Sequence, residues 1–135
     1  MKFFASVIFL SVFSYVPVLS QKLTMDSVMQ KVSKGKPYVL VILTTGKPLP
    51  SDQGVVQKLQ SGHLVHLFQL EKDRKISVFG PVTNDTASVR GIIIFNNPDV
   101  EAARTELDRD PYISQGYLRY DLYNWFTIPG QQIPK

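Results

Sequence analysis

The sequence predicts an α+β domain with the element order β-α-β-β-α-β, and three observations carry that expectation. Two short runs rich in β-branched and apolar residues, 38–44 and 91–95, read as buried strands. Two segments, one after Ser51-Asp52 and one after Asn97, combine helix-start residues with apolar positions at the 3.6-residue period. An aromatic-rich segment, 117–125, closes the series as a last strand.

Met1-Lys2 makes a positive start, and Phe3 to Val18 is almost continuously apolar or small. Val18-Leu19-Ser20 places small or β-branched groups where a signal peptidase reads. Residues 1–20 are therefore expected to be a signal peptide cleaved before Gln21, and the protein to be exported, periplasmic or secreted. The competing reading is a retained anchor. The apolar run is shorter than the ~20 residues a bilayer core requires, and Ser11, Ser14 and Pro17 interrupt it. No membrane association is expected once the signal is removed.

The 135 residues fit one domain with terminal appendages, and 44% hydrophobic with 19% charged residues is an ordinary globular balance. The absence of Cys excludes disulfides, thiolate metal sites and cysteine nucleophiles. The formal charge of +4 becomes +3 when Lys2 leaves with the signal (4 − 1). Lys22, Lys31, Lys34 and Lys36 supply that excess, and a solvated basic leader is its plain explanation. Basic residues interleaved with exposed aromatics along one face are missing, so no nucleic-acid partner is expected.

Residues 21–37 are largely polar and read as a leader of unassigned structure, with Leu23, Met25, Val28, Met29 and Val32 able to form a short helical turn or two. Tyr38 to Thr44 is the first strand and Thr45 to Pro50 a loop. Ser51 or Asp52 caps a helix to about Lys72, with Val55, Val56, Leu59, His63, His66, Leu67 and Leu70 on one face and Leu64 and Phe68 on another. Asp73-Arg74 turns the chain. Lys75 to Phe79 reads as a half-exposed strand with Ile76 and Val78 alternating against Lys75 and Ser77, ending at Gly80-Pro81.

A polar loop, 83–88, leads to the strand 91–95. Asn97 is expected to cap the next helix with Pro98 at its first position, and Val100, Ala103 and Leu107 form its buried stripe. Asp110-Pro111 ends it. Residues 126–135 form a tail. The order is that of the ferredoxin-like split arrangement, a four-stranded antiparallel sheet with two helices on one face. The other face needs a cover, which a second subunit's sheet would supply, so a homodimer is expected.

His63-Leu64, Gly80-Pro81, Gly91-Ile92-Ile93, Glu101-Ala102 and Asp110-Pro111-Tyr112 occur in an order and spacing that resemble the YciI-like (YCII-related) family over residues 38–125. The resemblance implies a dimeric α/β barrel and a helix-borne His paired with the Asp of the Asp-Pro step. Carried onto this chain, those catalytic candidates are His63 and Asp110. A buried Asp bonded to one imidazole nitrogen fixes the tautomer and leaves the other nitrogen to accept a proton. The plainer reading is that His63 packs on the helix face and Asp110 caps backbone before Pro111.

His63 and His66 stand i, i+3, yet zinc needs three or four ligands and these are the only histidines, so neither metal nor cofactor is expected. The position of His66 often holds an aromatic or aliphatic residue in the family, which suits a packing role. A Gly-x-Ser-x-Gly motif and a phosphate-cradling glycine loop are absent. Asn84-Asp85-Thr86 fits a glycosylation triplet. Tyr117, Tyr120, Tyr123, Trp125 and Phe126 are expected in core or interface packing, or as the wall of a small-molecule pocket. Arg90 and Arg119 are candidates for orienting a carboxylate. Three functions remain open at this point: a small lyase- or isomerase-type enzyme, a non-catalytic dimeric module binding a small ligand, and an interaction domain that pairs through its tail.

Overall fold

The computed structural model describes residues 22–83 and 88–131. In chain order the elements are α1 (Met25–Val32), β1 (Lys36–Thr45), α2 (Gln53–Lys72), β2 (Ile76–Pro81), β3 (Val89–Phe95), α3 (Val100–Leu107), α4 (Pro111–Ser114) and β4 (Leu118–Thr127). The expected signal peptide and the triplet Asn84-Asp85-Thr86 lie outside the described residues.

The strands are joined in the order β2-β3-β1-β4 with every pair antiparallel, so the ferredoxin-like α+β architecture is present as expected. Alternation along the strands gives the sheet two faces. Val39, Val41, Leu43, Ile76, Ile93 and Phe95 point to the helices and are buried against Leu67, Leu70, Ala103 and Leu107. Leu40, Ile42, Ile92 and Ile94 point the other way and are only half-buried, flanked by Tyr38, Val78 and Trp125.

Several local expectations are sharpened or corrected. The leader, whose structure the sequence left open, forms the short helix that residues 23–32 allowed: Thr24 and Ser27 form a capping box that starts α1. Lys36 and Pro37 already belong to β1, and Phe126 and Thr127 extend β4 beyond the expected strand end. In β2 the register shifts between Ile76 and Val78. This bulge around Ser77 sends Val78 to the open face and Phe79 to the core, so Ile76 and Val78 do not share a side.

The cap of α3 is Asp99 rather than Asn97, since its carboxylate accepts from the N–H groups of Glu101 and Ala102. Asn97 instead bonds the N–H of Asp99, leaving Pro98 before the helix. The second face of α2 is largely open. Val65 and Phe68 are exposed there, although the Phe68 ring meets Phe79 edge-on at 5.2 Å.

Candidate active site

Asp110 follows the end of α3 and caps α4, with Pro111 at the first helical position. One carboxylate oxygen, Oδ1, accepts from the N–H groups of Tyr112 (2.8 Å) and Ile113 (3.4 Å). The second, Oδ2, lies 2.6 Å from Nδ1 of His63. Asp110 is fully buried (0% exposed), the only buried charged residue among those described. A carboxylate withdrawn from water needs all its partners, and here both oxygens have them.

His63 comes from the middle of α2, 47 positions away in sequence. The approach of the two elements depends on Gly62, because a Cβ there would fall 2.9 Å from Cγ of Pro111. With the carboxylate as acceptor, Nδ1 carries a proton, and in the neutral ring Nε2 is then the lone pair. The imidazole side chain is 15% exposed, and no hydrogen-bond partner for Nε2 occurs among the described residues.

Tyr112 stands against the imidazole, ring to ring edge-on at 5.4 Å, and Tyr117 stands edge-on to Tyr112 at 6.4 Å. The Lys47 ammonium lies 4.4 Å over the Tyr117 ring. Burial, helped by the nearby Asp110 carboxylate, raises the Tyr112 hydroxyl above its ordinary value of 10.0, which keeps it neutral. Lys47 was not predictable as a neighbour from its own loop sequence. The signal lies in the pairing of β1 with β4, which sets Gly46 and Lys47 against Tyr117 and Gly116.

The other candidates go elsewhere. His66 Nε2 donates to the backbone carbonyl of Glu106 at 2.9 Å, tying α2 to α3. Arg90 and Arg119 are exposed, and no hydrogen bond or ion pair among the described residues connects them to the His63–Asp110 pair. Two concavities formed by the described residues do not include the pair either. One of about 390 Å³ is lined by Arg74, Lys75, Phe95 and Glu106 among others. The other, about 350 Å³, lies on the open sheet face between Tyr38, Val78, Ile94, Trp125 and residues 127–131.

The strand order defines the chain as an α+β protein with a ferredoxin-like four-stranded antiparallel sheet. No protein-family model matches the sequence, and no curated protein does. Among solved structures the chain is similar to muconolactone isomerase, with a TM-score of 0.55 and 15% identity over 73% of this chain and 97% of that one. It also matches 5-chloro-2-hydroxyhydroquinone dehydrochlorinase from Burkholderia phenoliruptrix, with a TM-score of 0.47 and 20% identity over 64% of this chain and 92% of that one. The likeness to muconolactone isomerase is one of fold.

Proposed function

We propose that this chain is an exported, YciI-like homodimeric enzyme of the lyase or isomerase type, with His63 as general acid–base and Asp110 as its orienting partner. The observation that carries the reading is the 2.6 Å contact between His63 Nδ1 and a fully buried Asp110 whose other oxygen is held by backbone. The backbone bonds stop the carboxylate from turning, and the carboxylate in turn stops the imidazole. Nε2 then takes a proton from a small organic acid and returns it at a neighbouring atom or to a leaving group. Asp110 faces the imidazolium formed in between. Such positioned proton transfer is worth ~10²–10⁴-fold in rate, enough for a substrate whose C–H is already acidified by a carbonyl. Muconolactone isomerase shares the fold, which makes small-molecule chemistry a natural use of this scaffold.

The test is solvent-deuterium incorporation into a panel of small cyclic and conjugated acids. Wild type should accelerate exchange on at least one member, with His63→Gln reduced about 10²-fold or more. Equal exchange for both proteins across the panel would sink the catalytic reading.

The open-face cavity favours a second reading, a dimeric module that holds a small apolar or aromatic ligand without turnover. Trp125, the single tryptophan of the chain, lines that cavity and reports on it. Titration with benzoate would then change Trp125 emission equally in wild type and His63→Ala.

A further inference from the structure

Helix α1 buries none of its residues, although it is well capped at its start. Met25 is 73% exposed, Met29 57% and Val32 40%, and Leu23 just before the helix is 69% exposed. At 3.6 residues per turn, Met25, Val28, Met29 and Val32 occupy an arc of about 100°, with Ser27 and Gln30 on the far side. Phe126 is also exposed, and its ring lies against Gly35, three residues past the end of the helix. A two-turn helix is marginal in water by itself, so this stripe calls for a partner.

Charge identifies the partner's chemistry. Residues 22–36 hold Lys22, Lys31, Lys34 and Lys36 against Asp26, a net charge of +3 (4 − 1). Residues 37–135 hold ten Lys or Arg and ten Asp or Glu (15 − 5 and 11 − 1), a net charge of zero. The whole excess of residues 22–135 therefore sits around this one helix. Lys31 flanks the stripe beside Val28, where its stem can lie along the apolar surface and its ammonium turn to phosphate. A second copy's α1 would bring like charge to the same place, so self-pairing of the helix is disfavoured.

We propose that α1, with its flanking lysines and Phe126, is a docking element for an anionic lipid surface. An amphipathic helix of this kind lies in the plane of the interface with its apolar side ~5–10 Å into the headgroup boundary. It does not cross: no helix among the described residues is long and apolar enough to do so. This revises the expectation of a mature chain without membrane contact, and it is independent of the His63 chemistry.

The chain has no cysteine, so one introduced thiol can be labelled uniquely in the full protein. An environment-sensitive fluorophore at Met29→Cys is compared with one at Gln57→Cys on exposed α2, using phosphatidylcholine vesicles with and without phosphatidylglycerol. The Met29 label should shift to the blue and be quenched by brominated lipid only on the anionic vesicles, while the Gln57 label stays aqueous. Lys31→Glu/Lys34→Glu should weaken this at least about tenfold, and high salt should do the same without any substitution. A Met29 label that stays aqueous on bound protein would overturn the proposal, as it would mean attachment through another segment. So would equal burial on neutral vesicles, or burial already complete without vesicles.

Discussion

Asp110 does two jobs with one carboxylate, and its replacements separate them. Asp110→Ala leaves the N–H groups of Tyr112 and Ile113 and the Nδ1–H of His63 without an acceptor in a dry setting. We expect a loss of about 2–4 kcal/mol in urea unfolding, combining a lost cap with an orphaned buried donor. Asp110→Asn keeps an acceptor for the cap but removes the charge facing His63. It should hold most of the stability while losing exchange activity. Gly62 is the matching steric test. Gly→Ala inside a helix usually gains about 1 kcal/mol, but here the methyl would meet Pro111. Gly62→Ala should forfeit that gain and disturb the His63 ring signals in an imidazole NMR spectrum.

At the scale of elements, the caps and turns make quantitative statements. If Asp99 starts α3, Asp99→Ala costs about 1 kcal/mol by thermal or urea unfolding and Asn97→Ala only a few tenths. The α2–β2 turn ends in a Schellman arrangement: the N–H of Lys75 bonds to Leu70 and that of Arg74 to Glu71. Arg74 accordingly takes a left-handed φ of 57°, which costs a side-chain-bearing residue energy. Arg74→Gly is expected to raise stability by about 0.5–1 kcal/mol. The misplaced start of α3 in the sequence reading has a simple cause. Asn97-Pro98 and Asp99 each satisfy a start rule, and only the path of the chain out of β3 decides which carboxylate or amide reaches the free N–H groups.

For the whole molecule, the open sheet face is where the proposed dimer would form, and two tyrosines bear on alkaline stability. Leu40, Ile42, Ile92 and Ile94 form a half-buried apolar patch that a second sheet would cover. Ile94→Asp should convert the proposed dimer to a monomer in sedimentation, with the fold retained because Ile94 lies outside the buried core. Burial raises both Tyr112 and Tyr120 above 10.0, the latter aided by its hydrogen bond to Asp108. The unfolded chain therefore releases these protons first. Stability from this source is complete below pH 10 and declines as pH rises above it, which urea titrations at alkaline pH will read.

The element order, the position of the core face on α2 and the candidate pair were legible because each is local: strand runs, a 3.6-residue stripe, and a short ordered set of dipeptides. The bulge at Ser77 and the cap at Asp99 were not, since each depends on which of several adequate residues the neighbouring backbone engages. The site divides in the same way. His63 and Asp110 were picked out by the family resemblance that the ordered dipeptides carry, but 47 positions separate them. Only the packing of α2 on α4, permitted by the missing side chain of Gly62, joins them at hydrogen-bond distance. The sequence thus determined which groups are available, and the tertiary structure decided which of them meet, because contact across the fold is set by backbone approach rather than by any residue's own preference.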